Sequence, residues 1–351
     1  MKQFKINYLL AILALVTVLA SCRKDKVEPD KGTPNANIYV LNQGGIGKNN
    51  STLTFYDYAT QSLFADQFFA ANGNKLGDTG NDAVISGSKM YIAVNYSNIV
   101  TVVNAKSAKF IKQITLNQPR SIAYYKVNVF VTSYSNTVSV IDTATLTITK
   151  TINVGRSPEQ MVVSNGKLYV TNSGGLDFPN LPFDKTVSVI DLTTLTETKK
   201  ITVIDNPVTI TADNNGNVYV LSLGNYGNIA GGMTVINNNT DVVKTSTNPS
   251  LYYNVPMAIN GDFLYYPTGD KKIAVYNVKT QTVTSANFIT DGTTISEPYA
   301  ITTDAKTGEI FIADAKDYSS NGTVYVFDKN GKKEYSITAG INPGKIILID
   351  K

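Results

Sequence analysis

Short stretches in which β-branched or aromatic residues alternate with polar ones run along almost the whole chain. Residues 167–172 read Lys-Leu-Tyr-Val-Thr-Asn, and variants of this phrase recur at intervals of roughly 39 to 52 residues. Alternation with period two is typical of strands that bury one face. The aromatic residue that anchors each copy is Tyr39, Tyr91, Phe130, Tyr169, Tyr219, Tyr265 or Phe311.

Three further segments accompany each aromatic strand. Upstream lies an apolar strand, opened in six copies by a proline and in one by Asn81-Asp82. Proline suits the first residue of a strand because it fixes its own φ and lacks an N–H donor. Downstream lies an alternating strand such as Thr137–Asp142, nearly repeated at Thr186–Asp191, and after a polar turn comes a weaker fourth strand. The repeat therefore predicts seven units of four strands. The prolines are Pro119, Pro158, Pro207, Pro256, Pro298 and Pro343.

The two ends of the repeat complement each other. Residues 344–350 have the pattern of a first strand that no second strand follows, and residues 38–40 that of a second strand that no first strand precedes. Together they complete one unit. The sequence thus predicts an all-β, seven-bladed β-propeller of four antiparallel strands per blade over residues 37–351, its ring closed by pairing of the N- and C-terminal strands. An open stack of sheets is the alternative, but it would leave strand edges exposed.

The N-terminal segment has the pattern of an export signal. Lys2 and Lys5 precede an apolar run from residue 8 to residue 20, which is shorter than the roughly 20 residues of a membrane span. Leu-Ala-Ser-Cys at residues 19–22 resembles a bacterial lipobox, which implies a signal peptide over residues 1–21 and lipidation of Cys22. Residues 22–36, charged and aperiodic, are predicted to form a flexible tether. An uncleaved signal anchor is the alternative.

Charge argues against nucleic acid as a partner. The chain has 31 basic and 27 acidic residues, hence a net charge of +4. Without Lys2 and Lys5 the net charge is about +2, and the sequence has no basic stripe. In lipoproteins of Bacteroidetes type an acidic cluster after the cysteine directs export to the cell surface; here Asp25, Glu28 and Asp30 alternate with basic residues. This export signal is therefore only partial. We expect a lipid-anchored outer-membrane protein at the cell surface, with the periplasmic side left open as the alternative.

Several kinds of catalysis lack their residues. The chain has no histidine and a single cysteine, Cys22. This composition excludes histidine-dependent triads, histidine metal ligands and, once Cys22 carries lipid, thiol nucleophiles. We therefore expect no enzymatic activity and no required cofactor. A structural Ca²⁺ bound by loop carboxylates and amides stays open, as does a metal-dependent hydrolase that uses acidic residues.

Recognition by loops remains as the candidate function. The connections from the fourth strand to the next first strand, and from the second to the third, are predicted to gather on one face, and they are rich in Tyr, Asn, Ser and Gly. Tyrosine offers a large contact area with few torsions, although some of these rings are expected to pack locally instead. Arg120 and Glu159 either point to the channel mouth or form a structural ion pair. The candidate ligand-binding residues are Tyr96, Arg120, Tyr134, Glu159, Gln160, Asp177, Phe178, Tyr226, Tyr252, Tyr253, Tyr299 and Tyr318.

The literal Tyr-Val-Thr-Asn at residues 169–172, within this repeat, resembles the YVTN family of seven-bladed propellers over essentially the whole mature chain. With the lipobox and the Asn- and Tyr-rich blades, the chain is similar to Bacteroidetes lipoproteins of that family. Some of these bind cobalamin at the cell surface and cap a TonB-dependent transporter. The resemblance implies non-enzymatic capture of cobalamin or another nutrient on the loop-bearing face. The alternatives are a protein-interaction scaffold in the cell envelope and, less favoured, a lactonase-like hydrolase that needs a metal.

Overall fold

The computed structural model describes residues 36–350, within which 28 strands form seven four-stranded antiparallel sheets. The sheets are numbered here as blades 1 to 7, and blade 1 combines the two ends of the described chain. The innermost strands of blades 1 to 7 are β28 (Pro343–Asp350), β4 (Gly80–Ser86), β8 (Pro119–Tyr125), β12 (Pro158–Ser164), β16 (Pro207–Ala212), β20 (Ala258–Asn260) and β24 (Pro298–Thr303). Each of them contacts the innermost strand of the next blade, so they surround a central channel.

The other three strands of each blade follow outward in chain order. The second strands are β1 (Ala36–Asn42), β5 (Lys89–Val94), β9 (Asn128–Ser133), β13 (Lys167–Asn172), β17 (Asn217–Gly224), β21 (Phe263–Pro267) and β25 (Ile310–Asp314). The third strands are β2 (Thr52–Asp57), β6 (Ile99–Asn104), β10 (Thr137–Asp142), β14 (Thr186–Asp191), β18 (Ala230–Asn237), β22 (Ile273–Asn277) and β26 (Asn321–Phe327). The outermost strands are β3 (Ser62–Phe64), β7 (Phe110–Thr115), β11 (Thr147–Asn153), β15 (Thr196–Thr202), β19 (Val242–Thr247), β23 (Thr282–Ser285) and β27 (Lys333–Ile341).

Blade 1 closes the ring and confirms the predicted fold. β28 pairs with β1 in antiparallel register, with Ile38 opposite Leu348 and Val40 opposite Ile346. The expected signal peptide over residues 1–21, the lipidation of Cys22 and the tether up to residue 35 lie outside the described residues. Within residues 36–350, no helix has the length and apolar character that a membrane span requires.

The hydrophobic core is divided among the interfaces between neighbouring blades. Each of seven buried clusters joins two adjacent blades. Between blades 2 and 3, for example, Tyr91 and Val102 pack against Ile122 and Val131. Side chains along each strand point alternately to its two sides. The two sides of the second and third strands face different neighbouring blades, so both sides are buried.

The recurring phrase serves this scaffold. Tyr169 is fully buried, and its hydroxyl donates to an Asp241 carboxylate oxygen at 2.6 Å in the next blade. The Asn172 amide donates to the hydroxyls of Thr186 and Ser188 in the adjacent strand, at 3.0 and 2.9 Å. These bonds satisfy buried polar atoms within and between blades, so the phrase stabilises the fold.

The two faces of the ring differ. The loop face carries the connections from an outermost strand to the next innermost strand and from a second to a third strand, including the long segment 173–185. The turn face carries the remaining connections, such as the two-residue turns 87–88 and 126–127. Irregular loops on a rigid scaffold are where binding residues tend to lie, so the loop face is the first place to look for a site.

A short helix departs from the repeat. Helix α1 (Gln67–Asn72) lies between β3 and β4; Asp66 caps its N-terminus, and Gly73 ends it in the left-handed conformation. Phe68 is buried against the cluster of blades 1 and 2. The repeat pattern of the sequence predicts no helix here. The Asp and Gly that bracket an apolar segment are the signal that marks it.

Candidate functional site

One position in each blade faces the channel mouth, and in every blade except blade 1 it carries a side chain. It is the second residue of the innermost strand or, in blade 6, the residue after Pro256. In blades 1 to 5 and 7 a register shift follows the start of this strand, so the residue has no partner on the second strand. A β-bulge of this kind re-aims a side chain. For blades 1 to 7 the mouth positions are Gly344, Asn81, Arg120, Glu159, Val208, Met257 and Tyr299, and all of them line one cavity.

The polar side of this mouth is built on an ion pair. The Arg120 guanidinium donates through Nη2 and Nε to one Glu159 oxygen at 2.7 and 3.0 Å, and through Nη1 to the Asn81 Oδ1 at 2.8 Å. The Tyr134 hydroxyl donates to the other Glu159 oxygen at 2.7 Å. The guanidinium carbon lies 4.9 Å from the Tyr134 ring centroid. Arg120 and Glu159 thus form an ion pair that also lines the channel mouth.

Burial and charge shift the pKa values of this network. Burial by itself would lower the pKa of Arg120, but the adjacent Glu159 carboxylate outweighs it, and the pKa is raised. Burial raises the pKa of the Tyr134 hydroxyl, and Glu159 raises it further. Burial also raises the pKa of Tyr299, on the other side of the mouth, to about 12. At neutral pH, therefore, Arg120 is charged and both tyrosines are protonated donors.

A second ion pair crosses from blade 1 to blade 2. Lys345 Nζ lies 2.8 Å from Asp82 Oδ1, while Asp82 Oδ2 accepts from the Ser121 hydroxyl at 2.8 Å and from the Ile122 N–H at 2.9 Å. Asp82 therefore connects three blades. Since both ion pairs are balanced, the mouth carries no excess charge from these four groups.

The cavity behind the mouth has a volume of about 460 Å³ and two chemically different sides. Asn81, Arg120 and Glu159 form one side, whereas Val208 and Met257 form the other together with the Tyr299 ring. The Tyr299 hydroxyl donates to the Gln43 side-chain oxygen at 2.6 Å. Further along the innermost strands the lining includes Ile122, Met161, Ile210 and Ile301. This arrangement suits a ligand that has both polar and apolar surface.

A tyrosine cluster lies on the loop face between blades 6 and 7. Glu297 accepts from the hydroxyls of Tyr252 and Tyr318 and from the Lys271 ammonium, and Tyr253 shares a hydrogen bond with Tyr318. Burial would raise the pKa of Glu297, but Lys271 and the two hydroxyls lower it overall. Tyr252 is only 6% exposed and packs beneath its loop, whereas Tyr253 is 55% exposed. Of this pair, Tyr253 is the ring available to a ligand.

The long loop of blade 4 holds two more candidates. Arg156 pairs with Asp177 at 2.8 Å and donates to the Pro182 carbonyl at 2.7 Å. Phe178 stacks on Phe183 with centroids 4.4 Å apart, and Phe183 meets Tyr226 edge-on at 5.6 Å. Asp177 therefore holds the loop in place, while Phe178 and Tyr226 keep a free face.

Exposed apolar and aromatic side chains gather on the loop face. Tyr96, Tyr226 and Tyr253 are 56, 66 and 55% exposed and come from blades 2, 5 and 6. Gln160 is exposed beside Glu159, and Tyr134, Tyr299 and Tyr318 are half-buried. The predicted tyrosines thus divide into three largely exposed rings and a set of less exposed rings held by local hydrogen bonds, and Tyr253 combines exposure with a hydrogen bond to Tyr318. The exposed apolar side chains of the loop face include Ile46, Tyr96, Leu176, Phe178, Leu181, Tyr226, Ile229 and Tyr253.

Several residues of the mouth and of the tyrosine cluster were absent from the predicted set. They are Gln43, Asn81, Asp82, Val208, Met257, Lys271, Glu297 and Lys345. The repeat carries a signal for three of them, because Asn81, Val208 and Met257 occupy the same position as Arg120 and Glu159 in their blades. Lys271 and Glu297 come from irregular loops and have no such signal. As for metals, residues 36–350 contain no group of three acidic side chains placed to hold an ion.

The chain matches one protein-family model. The model of a domain of unknown function, DUF5074, matches residues 36–342, so the chain belongs to the DUF5074 family. That span begins with β1 and ends at the connection to β28, so it covers the propeller except its last strand. No curated protein matches the chain.

Solved structures share the fold at low sequence identity. A quinonprotein alcohol dehydrogenase-like protein from Bacteroides thetaiotaomicron is 17% identical with a TM-score of 0.66, over 90% of this chain and 78% of that one. Hydrazine synthase from Kuenenia stuttgartiensis is 15% identical with a TM-score of 0.64, over 78% of this chain and 95% of that one. The WD40 propeller domain of Doa1 is 10% identical with a TM-score of 0.58, over 80 and 86%. These likenesses concern the fold alone.

Proposed function

We propose that this protein is a non-enzymatic binding module that holds a large amphipathic ligand over the channel mouth on its loop face. The observation that carries the proposal is that exposed aromatic side chains share the loop face with a channel mouth that is polar on one side and apolar on the other. Tyr96, Tyr226 and Tyr253 belong to three different blades. A ligand that touches all three must cover the opening between them.

The charges of the mouth support a ligand without a large net charge. Arg120 and Lys345 are each paired with a carboxylate at 2.7 and 2.8 Å, respectively. A strongly anionic ligand would have to displace these carboxylates or lie beside them, and leaving a partly buried charge unpaired costs free energy. Amide and hydroxyl groups on a ligand, in contrast, can bond with Asn81, Gln160 and Tyr134 without breaking either pair.

Within this class, cobalamin is the specific ligand we propose to test first, with other nutrients taken up by TonB-dependent transporters as alternatives. It is a large molecule with an apolar ring and peripheral amides, which suits a mouth of this composition. On this proposal the protein is a lipoprotein of the outer membrane, anchored through Cys22, with its loop face toward the cell exterior.

Calorimetric titration of a chain without residues 1–22 tests the ligand and the site separately. We expect wild type to bind cobalamin, and the Tyr96→Ala/Tyr226→Ala/Tyr253→Ala variant to bind at least about tenfold more weakly, since aromatic anchors dominate such interfaces. Tyr124→Ala is the matched control, because Tyr124 is 50% exposed but lies at the turn face. Absence of binding to wild type would rule out cobalamin as the ligand. Equal affinity of the triple variant would rule out the loop face as the binding site.

A second candidate, a scaffold for a protein partner such as the transporter, is favoured by one loop. Leu176, Phe178 and Leu181 are 57, 44 and 49% exposed and lie within a single connection. An apolar cluster of this kind is typical of a protein interaction site. The Leu176→Ser/Leu181→Ser variant is expected to lose co-purification with the transporter while it keeps its affinity for the small ligand. Loss of both transporter co-purification and small-ligand affinity would show that this loop belongs to the ligand site instead.

A further inference from the structure

The turn face of blades 2 and 3 carries a one-sided distribution of charge. Six lysines place their ammonium groups there, whereas Asp142 is the one acidic residue of these two blades on that face. Within residues 36–350, none of the six is in an ion pair with a carboxylate. The six, called the basic sector below, are Lys89, Lys106, Lys109, Lys112, Lys126 and Lys150.

Contacts between the two blades bring the basic sector together. Lys89 Nζ donates to the Thr143 carbonyl at 3.2 Å, and Lys112 Nζ donates to the Thr145 carbonyl at 3.3 Å in the same turn. The Thr143 N–H in turn donates to the Val127 carbonyl at 2.9 Å, next to Lys126. The lysines come from separate segments, so the sequence shows no basic run although the fold builds a basic surface.

Apolar side chains alternate with these lysines. Phe110 and Ile111 follow Lys109 and are 50 and 42% exposed, and Val127 follows Lys126 and is 62% exposed. Tyr124 and Ile148 lie at the turn-face ends of β8 and β11 and are 50 and 37% exposed. Basic residues that surround exposed apolar ones are typical of surfaces that lie against a membrane.

The rest of the turn face lacks this charge imbalance. In blades 6 and 7, Lys279 pairs with Asp262 at 2.8 Å, and Lys329 and Lys332 share their turn with Asp328. Acidic and basic residues therefore balance on the far side of the ring. The basic sector is a local feature and not the consequence of an overall positive charge.

The chain enters the propeller on the same face and in the adjacent blade. β1 begins at Ala36, and the Asn37 side chain accepts from the Tyr58 N–H at 3.2 Å in the turn between β2 and β3. Tyr39, on the same strand, donates its hydroxyl to the Lys106 carbonyl at 3.3 Å. Cys22 precedes Ala36 by 14 residues. The segment that would carry the proposed anchor at Cys22 therefore joins the propeller on its turn face.

We infer that the basic sector docks the propeller onto the anionic phospholipid headgroups of the membrane that anchors it, with the loop face turned away. The lipid contact does not depend on the proposed ligand; only its link to the anchor depends on the proposed lipidation of Cys22. Charge complementarity between unpaired ammonium groups and lipid phosphates supplies the attraction. Shallow burial of Phe110 and Val127 adds apolar contact.

Co-sedimentation of a chain without residues 1–22 with lipid vesicles tests this inference without the anchor and without the ligand. We expect binding to vesicles that contain phosphatidylglycerol, little binding to pure phosphatidylcholine, and a steep loss with added salt. Lys106→Glu/Lys109→Glu/Lys126→Glu is expected to bind at least about tenfold more weakly. Lys279→Glu/Lys329→Glu/Lys332→Glu, with the same change in net charge on the far side of the ring, keeps its binding. Equal loss in the two variants would overturn a localised lipid site.

Tryptophan fluorescence distinguishes docking through one face from electrostatic attraction without a fixed orientation. The chain has no tryptophan, so an introduced one reports on its own position alone. Val127→Trp is expected to shift its emission to the blue on phosphatidylglycerol vesicles, whereas Tyr226→Trp on the loop face does not shift. Equal shifts at both positions would overturn the orientation. Binding to duplex DNA as tight as binding to the vesicles would show that the basic sector is a general polyanion surface and would also overturn the inference.

Discussion

At the scale of single residues, position in the repeat decides which side chains meet at the mouth. Arg120 and Glu159 follow the prolines that open neighbouring innermost strands, and a bulge turns each of them toward the channel. Their exposed fractions are 26 and 15%, which is low for charged side chains. Such a pair is maintained by its hydrogen bonds, since a partly buried charge that loses its partner is costly.

Neutralising Glu159 should therefore destabilise the protein. Glu159→Gln weakens the bonds from Arg120 Nε and Nη2 and leaves the guanidinium without a countercharge, and we expect a loss of about 1–3 kcal/mol in the free energy of unfolding. Urea unfolding, with the slope unchanged, measures this loss.

Asp177→Asn is the matched control, because it removes the charge from the Arg156–Asp177 pair, whose N–O distance of 2.8 Å is close to the 2.7 Å of the Arg120–Glu159 pair. That pair is more exposed, at 32 and 38%, so we expect about 0–1 kcal/mol. If the two substitutions cost the same, burial does not strengthen the pair at the mouth.

The raised pKa of Tyr299 predicts that the free energy of unfolding depends on pH in the alkaline range. Its pKa is raised from 10.0 to about 12 by burial, so the folded state retains a proton that the unfolded state has lost. The stability that this tyrosine contributes is present below pH 10 and is lost as the pH rises toward about 12. We expect a shallower alkaline decline of the unfolding free energy for Tyr299→Phe than for wild type.

The phenolate absorbance supplies the control for this titration. The difference between wild type and Tyr299→Phe should titrate near pH 12 in the folded protein and near pH 10 in denaturant. A difference that titrates near pH 10 in both states would contradict the predicted shift.

At the scale of elements, closure of the ring depends on the pairing of β28 with β1. β28 covers the edge of β1, and Ile346 packs in the cluster that joins blades 7 and 1. Without β28, blade 1 would have three strands, and the channel side of β1 would be an unpaired edge.

Removal of residues 343–351 should therefore abolish cooperative unfolding. We expect a chain that ends at Asn342 to elute as oligomers in size-exclusion chromatography and to show a broad urea transition. Addition of a peptide of residues 343–350 should restore a monomer with a sharp transition, because the edge of β1 is its template. A monomer that unfolds with the wild-type midpoint before peptide is added would show that closure is dispensable.

At the scale of the whole molecule, the sequence predicts the ring but only part of its site. Seven copies of a period-two pattern, with complementary ends, determine the blades, because alternation and proline are local signals. Helix α1 was missed because fewer than two turns of helix inside a strand repeat show no periodicity to detect. The ion pair of Lys271 with Glu297 was missed because both residues lie in irregular loops. The basic sector has no sequence signal, since blade packing brings its lysines together.

The two faces of the molecule predict an orientation at the membrane that a thiol probe can measure. We expect Tyr226→Cys, on the loop face, to react rapidly with a bulky polyethylene glycol maleimide in membranes from cells that express the full chain. Lys126→Cys, in the basic sector, should react several-fold more slowly, because the lipid surface obstructs a bulky reagent. In detergent solution the two variants should react at similar rates.

Fractionation of the same cells separates the two parts of this prediction. A protein found in the membrane pellet, whose two thiols nevertheless react equally fast, would retain its anchor but lack the proposed orientation. A protein found in the soluble fraction would lack the anchor at Cys22. Because ligand binding by the loop face is measured on the chain without residues 1–22, neither result would decide whether the channel mouth binds its ligand.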